Sequence, residues 1–163
     1  MRPSFTALCI TSVVLSSSMG STLAANFNMG LDAAKKGDYA GALLQWVPLA
    51  EQGDTTAQIN LGVMYEDGKG VPKNYQTAVK WYKLAAEQGD QRAQINLGLM
   101  YAKGKGVKSD NISAHMWWSV AAVNGDEDAS SNIAIITKQM RAEDIRKAQK
   151  LAHECILRRY KGC

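Results

Sequence analysis

The sequence predicts an all-α fold, a helical-repeat solenoid of antiparallel helix pairs, and three observations support this. Residues 50–85 and 86–121 are identical at 20 of 36 positions, so the chain repeats itself with a period of 36 residues. Within each copy, apolar residues recur at spacings of three and four, which is the pattern of an amphipathic helix. Glycine-rich segments separate these helical stretches. Periods of this length are typical of solenoids, which present an extended surface rather than one deep pocket.

Residues 1–25 have the composition of a cleavable export signal. Arg2 gives a positive start, residues 5–15 are mostly apolar, and small residues follow up to Ala25. The apolar stretch is too short for a membrane-spanning helix, which needs about 20 residues. We therefore expect a periplasmic or secreted protein without a transmembrane segment, whose mature part, residues 26–163, is one domain.

Residues 26–54 are predicted to form a short opening pair of helices. The first covers residues 28–36 and the second covers residues 39–52. Pro48 lies inside the second helix, where the missing N–H and the ring should kink it.

Residues 55–90 and 91–126 are predicted to be two full repeats. The first repeat has helices at 56–67 and 75–87, and the second has helices at 92–103 and 111–123, each pair joined by a Gly-Lys-Gly-Val loop. Gly62 and Gly98 occupy the same mid-helix position, where glycine costs about 0.5–1 kcal/mol relative to alanine. This predicts two helices packed too closely for a side chain, and Ala78 and Ala114 fit the same contact.

Residues 127–163 are predicted to be a degenerate repeat followed by a capping helix over residues 142–160. Cys155 and Cys163 are the two cysteines of the mature chain, and an oxidising compartment favours a disulfide. On one straight helix they would lie about 12 Å apart, too far to bond. A bond therefore requires the chain to turn back, which Lys161 and Gly162 allow. Free thiols, or a bond to another chain, are the alternatives.

Charge is distributed unevenly along the mature chain. Residues 26–137 have a net charge of −2 and residues 138–163 have a net charge of +5. The basic C-terminal helix is either a solvated face or a weak contact for an anionic surface or acidic partner. Nucleic acid is not expected as a partner of an exported protein.

The sequence contains no recognisable catalytic or metal-binding set. The serine motif of β-lactamases, Ser-x-x-Lys, is absent. His153-Glu154 begins like a zinc helix, but Leu157 occupies the position of the second histidine. We expect no enzyme activity, no metal and no cofactor.

The two repeats resemble the Sel1-like repeat, a longer relative of the tetratricopeptide repeat. Both contain, in order, Leu-Gly, a tyrosine, Gly-x-Gly-Val, an alanine in the second helix, an aromatic pair and a Gly-Asp turn, in residues 61–90 and 97–126. The likeness covers nearly all of residues 27–130. It implies a right-handed superhelix in which the first helix of each pair lines the concave side, and an adaptor that binds a protein or peptide.

The resemblance also implies an alternative. A cysteine-rich exported subgroup of the family binds penicillin and weakly hydrolyses β-lactams, and it carries a cysteine pair in every repeat. This chain has no cysteine within its repeats.

The concave face can be predicted from helix geometry. If Leu61, Gly62 and Tyr65 point toward the partner helix, the residues between them turn to the concave side. The repeat then supplies an apolar stripe with charged neighbours, which favours a peptide or helix partner. The predicted partner-binding residues are Ile59, Val63, Glu66, Ile95, Leu99 and Lys103.

Overall fold

The computed structural model describes residues 14–123 and 125–163, with side chains described from residue 23 onward apart from residue 124. The export signal predicted for residues 1–25 therefore lies largely outside the described residues, and its cleavage stays a prediction. The described residues form eight α-helices and no strand, which confirms the all-α fold. The helices are α1 (Val14–Lys35), α2 (Tyr39–Glu51), α3 (Thr55–Asp67), α4 (Tyr75–Ala86), α5 (Gln91–Lys103), α6 (Asn111–Ala122), α7 (Glu127–Thr137) and α8 (Ala142–Leu157).

The helices stack as pairs. Each of α1, α3 and α5 packs along the helix that follows it, and each of α2, α4 and α6 packs on the first helix of the next unit. This chain of neighbouring contacts is the arrangement of a helical-repeat solenoid. α2 runs through Pro48 as one helix.

Short polar side chains fix where most of these helices begin. Aspartate and asparagine side chains accept hydrogen bonds from backbone N–H groups in the first turn, which satisfies donors that the helix leaves free. The capping residues of α2 to α7 are Asp38, Asp54, Asn74, Asp90, Asp110 and Asp126.

Glycine precedes the aspartate cap at each junction between units. Gly53 and Gly89 have φ angles of 97° and 89°, in the left-handed region that glycine adopts most easily. The Gly-Asp pair therefore ends one helix and begins the next within two residues.

The mid-helix glycines make room for aromatic rings, not for a neighbouring backbone. A Cβ added at Gly62 would lie 2.6 Å from Cδ1 of Tyr82, and one at Gly98 would lie 2.7 Å from Cδ1 of Trp118. Tyr82 and Trp118 are buried. The prediction that these glycines mark a close contact within each repeat is correct, but the contact is a ring seated on the glycine.

The opening pair repeats this arrangement. Gly30 would clash with the ring of Trp46 if it carried a Cβ. The indole Nε1 of Trp46 donates to the carbonyl of Phe27 at 3.3 Å, and that of Trp118 donates to the carbonyl of Ile95 at 3.1 Å. Residues 30 and 46 thus correspond to residues 98 and 118, so α1 and α2 pack as a repeat with a shorter loop.

Buried glutamines join consecutive units. Gln58 Nε2 donates to the carbonyl of Ala50 at 2.9 Å, and Gln94 Nε2 donates to the carbonyl of Ala86 at 3.3 Å. Both amides are almost fully buried. Each pins the start of a first helix to the end of the helix before it, so these amides are part of the fold.

The last helix leaves the stacking pattern. α8 packs on α6 rather than on its chain neighbour α7. Its apolar stripe is buried at Ala148, Ala152 and Cys155. Ala152 and Cys155 belong to the same core cluster as Trp117 of α6, so α8 caps the outer side of the second repeat.

The C-terminal turn begins earlier than the sequence predicts. α8 ends at Leu157, not at residue 160, because Arg159 and Tyr160 adopt φ angles of 51° and 67°. The chain therefore reverses before Lys161 and Gly162. The reversal brings Cys163 back to Cys155, and the structure joins the two as a disulfide with Cα atoms 5.5 Å apart.

Candidate functional site

α1 and α3, the first helices of the first two units, border a groove. A depression of about 180 Å³ lies between α1 and α3, with part of α2 beside it; it is lined by Ala34, Tyr39, Trp46, Asn60, Val63, Met64 and Lys69. A second depression, of about 370 Å³, lies between the same two helices; it is lined by Leu23, Ala24, Phe27, Asn28, Asp54 and Thr56. We call this surface of α1, α3, α5 and α7 the first-helix groove, and define it by the residues equivalent to Asn60 and Val63.

Two of the predicted partner-binding residues lie on the first-helix groove. Val63 lines the smaller depression and is half-buried. Leu99 occupies the same repeat position on α5 and is also half-buried, with part of its side chain against the core cluster that contains Trp118. Lys103, one turn further along α5, is exposed.

The other predicted residues are engaged in the fold. Ile59 is 6% exposed and belongs to the main core cluster, so it presents no free apolar surface. Ile95 is half-buried against the cluster that contains Trp118. Both lie three residues before a mid-helix glycine, hence on the helix face that meets the ring, and the apolar stripe predicted from Ile59 to Leu99 is not continuous.

Glu66 joins two repeats. Its carboxylate accepts a hydrogen bond from the Tyr82 hydroxyl at 3.1 Å. The same carboxylate forms an ion pair with Lys105 Nζ at 3.2 Å. The Lys105 ammonium also lies 5.0 Å from the ring centroid of Tyr75. Burial, followed by the nearby Glu66 carboxylate, raises the pKa of Tyr82, so its hydroxyl stays protonated as the donor. These contacts of Glu66 fix the two repeats relative to each other and do not suggest proton transfer.

The equivalent lysine of the first repeat has no such acceptor. The position of Glu66 is occupied in α1 by Ala34. Lys69 pairs instead with Asp67, the last residue of α3, at 2.7 Å, and both side chains are about half exposed. The hydrogen bond to Asp67 raises the pKa of Lys69, so this lysine remains charged at the edge of the groove.

Two further surfaces lie on the outer side of the second helices. One is an apolar face of α2 with a depression of about 520 Å³, lined by Ala40, Leu43, Leu44, Val47 and Pro48. The other is a depression of about 450 Å³ beside the half-buried Trp81; it is lined by Ala50, Glu51, Gly53, Gln58, Trp81, Leu84, Glu87, Gln88 and Lys161. Neither contains residues predicted to form the site.

The described residues offer little for catalysis. In residues 14–123 and 125–163, no three His, Cys, Asp or Glu side chains are grouped so that they could hold a metal ion. His115 is buried and its Nδ1 lies 3.1 Å from the Ser119 hydroxyl; burial lowers its pKa. Within the same part of the chain, no helix has both the length and the apolar character to cross a bilayer.

Sequence reasoning missed the polar residues of the groove. Asn60 lines the smaller depression beside Val63. Asparagine recurs at the same repeat position as Asn28, Asn96 and Asn132. This recurrence is visible once the repeats are aligned. Asn28 lies 32 rather than 36 residues before Asn60, because the loop of the opening pair is four residues shorter.

Stacked helix pairs, Gly-Asp junctions and aromatic rings seated on glycines define a helical-repeat protein. The family model of the Sel1 repeat matches residues 55–90 and 91–126. A Sel1 repeat protein from Oxalobacter formigenes is 33% identical, with a TM-score of 0.64 over 74% of this chain and 93% of that one. The chain belongs to the Sel1 repeat family.

A second solved structure is similar over more of the chain. It is a protective antigen present in uropathogenic Escherichia coli strains, displaying an SLR fold, with 29% identity and a TM-score of 0.79. The match covers 90% of this chain and 33% of the antigen, so this chain spans a third of the antigen's length. The comparison with curated proteins found no match.

Proposed function

We propose that this protein is an exported interaction module that binds a protein or peptide in the first-helix groove and has no catalytic activity of its own. Sel1 repeat proteins are generally non-catalytic interaction modules, which supports the general role. The observation that supports the location is the depression lined by Asn60 and Val63, where polar and aliphatic side chains of α3 meet α1.

The groove is favoured over the outer surfaces because it is made by successive units of the repeat. Val63 and Leu99 repeat at a spacing of 36 residues, so one ligand can contact the same position on two helices. The outer surfaces do not repeat in this way: the face of α6 that corresponds to the apolar face of α2 is covered by α8.

Export and the disulfide are part of the proposal. The composition of residues 1–25 supports export. Cleavage near residue 25 would remove Leu23 and Ala24 from the larger depression and leave the smaller one unchanged. An oxidising compartment would also maintain the bond between Cys155 and Cys163.

Affinity capture tests the groove. The full-length chain is expressed in an export-competent bacterium and recovered with a C-terminal tag, and N-terminal sequencing reports whether and where it is cleaved. Envelope and culture proteins are captured on the parent and on a Val63→Glu/Leu99→Glu variant. The control, Leu44→Glu/Val123→Glu, adds the same two charges at positions that are 74% and 64% exposed.

The expected result is a protein that is held by the parent and the control and lost by the groove variant, with all three giving the same helical circular dichroism. Equal capture by all three would reject the groove as the site. Turnover of a chromogenic β-lactam by the purified parent would contradict the absence of catalysis.

A further inference from the structure

The packing of α8 shows what the outer side of a second helix can bind. α8 packs on α6, and its Ala152 and Cys155 are buried in one core cluster with three residues of α6: Met116, Trp117 and Val120. The buried residues of α8 are all small, being Ala148, Ala152 and Cys155. A helix with a stripe of small residues can lie close against its support, because the distance between helix axes depends on the side chains at the contact.

The equivalent surface of α4 is exposed. A shift of 36 residues brings Tyr82 onto Trp118, the two rings that rest on the mid-helix glycines. The same shift brings onto the three α6 residues, in order, Lys80, Trp81 and Leu84. The last two line the outer depression of about 450 Å³. Leu84 is 47% exposed, whereas its counterpart Val120 is 1% exposed. α4 therefore presents to solvent two of the three positions that α8 covers on α6.

α2 supplies the other side of this depression. Ala50 and Glu51, at the C-terminal end of α2, line it together with Trp81 and Leu84 of α4. Ala50 corresponds to Ala86 of α4, which belongs to the core cluster that includes residues of α8. Both helices thus contribute residues equivalent to those that pack with α8 in the next repeat. We call this surface the second-helix groove and define it by Ala50, Glu51, Trp81 and Leu84.

The charges of the second-helix groove favour a basic ligand. Glu51 and Glu87 contribute two carboxylates to its lining, and Lys161 of the C-terminal turn contributes one ammonium group. Glu87 lies 3.7 Å from Lys83, while Glu51 is exposed. Complementary charge at the edge of an apolar contact steers a ligand and fixes its register. The groove therefore suits a helix with cations beside its apolar stripe.

We propose that the second-helix groove binds a basic amphipathic helix of another protein, with small apolar residues against Trp81 and Leu84 and cations toward Glu51. A helix is favoured over an extended segment because the equivalent surface of α6 holds one. The occupant resembles α8 itself, which has beside its buried stripe the exposed residues Arg146, Lys147 and Lys150.

The α8 of a second copy of the chain is not the occupant. It is buried on its own α6, and the bond between Cys155 and Cys163 holds the segment that follows it. The second-helix groove is also separate from the first-helix groove, so one molecule can hold two partners at once. This inference does not depend on the first-helix groove being a binding site.

A synthetic helix derived from α8 provides the probe. It copies residues 145–161 with Cys155→Ala, a segment that contains six Lys or Arg and one Glu beside the apolar stripe. Anisotropy of a fluorescent label on the peptide follows its binding to the full-length exported protein with the disulfide intact. A control peptide with Ala148→Gln/Ala152→Gln keeps the charge and removes the small apolar stripe.

Single substitutions in the protein locate the bound peptide. Glu51→Lys reverses a charge of the groove at the end of α2, and its control, Asp32→Lys, makes the same change at an exposed position near the end of α1. A lysine near a helix C-terminus is favourable, so both should fold. Leu84→Gln removes apolar surface from the groove, and its control, Val123→Gln, does so at a position that is 64% exposed.

The expected result is binding of the probe, with Kd weakened about fivefold by Glu51→Lys and by Leu84→Gln and unchanged in the two controls. The control peptide should bind at least about tenfold more weakly. No binding of the probe, or equal binding of both peptides, would overturn the proposal. So would binding that neither groove substitution weakens. Binding only after reduction of the disulfide would show that the peptide replaces α8 on α6, and would also overturn it.

Discussion

The two full repeats share their interior but differ on their outer surface. In the repeat of residues 55–90, the outer side of α4 carries an exposed Lys80 and a half-buried Trp81. At the equivalent positions of α6, Met116 and Trp117 are 4% and 1% exposed, because α8 lies over them. Leu84 is 47% exposed, and its counterpart Val120 is buried.

This difference distinguishes the contacts inside each repeat from those that its outer surface makes with other helices. The Gly98–Trp118 contact and the Gln94 hydrogen bond have counterparts at Gly62–Tyr82 and Gln58. These inner contacts do not depend on the covering helix. The residues on the outer side of each second helix depend on whether another helix packs on it. Their polarity therefore indicates whether that side is covered, as α8 covers α6, and is not a requirement of the repeat.

The tryptophans at equivalent positions should differ most in their effect on stability. Trp117→Ala should lower the free energy of unfolding by about 3–5 kcal/mol, since it leaves a cavity beneath α8. Trp81→Ala removes a half-exposed ring and should cost about 1–2 kcal/mol. Urea denaturation followed by circular dichroism measures both. Equal losses would show that α8 adds nothing to the burial of Trp117.

The inner contacts should respond alike in the two repeats. Gly62→Ala and Gly98→Ala should each cost about 1–3 kcal/mol, because the new methyl group would overlap the ring of Tyr82 or Trp118. Thermal melts of both variants test this. In a Trp118→Leu background, where the smaller side chain leaves space, Gly98→Ala should be nearly neutral. Full additivity would contradict the ring contact.

The loop lysines should distinguish the repeats by a smaller amount. Lys105→Met breaks the partly buried contact with Glu66 and should lower stability by about 1 kcal/mol. Lys69→Met should leave the free energy of unfolding unchanged, since its partner Asp67 is also largely solvated. Denaturation at low and high salt provides the measurement. A larger loss of stability for Lys69→Met than for Lys105→Met would contradict the conclusion that the Glu66–Lys105 ion pair stabilises the contact between the repeats.

The smallest expected difference concerns pH. His115 occupies the position of Val79, and burial lowers its pKa below the ordinary value of 6.5. Below pH 6.5 the unfolded chain then binds more protons than the folded one, so the free energy of unfolding should fall as pH decreases. Well above that pH the imidazole is neutral in both states and should contribute no pH dependence.

Replacing the buried histidine tests that sign. His115→Val should lose less stability than the parent between pH 7.5 and pH 5.5. His153→Gln changes an exposed histidine and should follow the parent. An identical pH dependence of the free energy of unfolding in all three proteins would show that His115 does not cause the loss of stability at lower pH.

The sequence predicted the helices well where local chemistry sets them. The observed start of α3 at Thr55 and end of α4 at Ala86 lie within one residue of prediction, since Asp54 caps the one and the Gly89-Asp90 turn follows the other. The predicted end of α8, at residue 160, was wrong by three residues, because the helix ends at Leu157. Arg159 and Tyr160 are not glycines, and nothing local marks their positive φ angles; the disulfide and the packing of Tyr160 select them.

The candidate site was predicted only in part. Val63 and Leu99 lie on the groove, but Ile59 is core, because a residue three before Gly62 shares the face under the Tyr82 ring. Apolar character alone did not distinguish the two faces of α3. The asparagine that recurs at the position of Asn60 marks the groove face, and its place beside the depression is visible only in the structure.

The packing of Tyr160 changes how the molecule should unfold. In a simple solenoid each unit contacts only its neighbours, and the units can separate one at a time. Here the ring of Tyr160 lies against Gly89, so the last segment of the chain reaches past the repeat of residues 91–126 to the end of the one before it. We therefore expect residues 55–163 to unfold as one cooperative unit, and amide exchange by local opening to be fastest in α1 and α2.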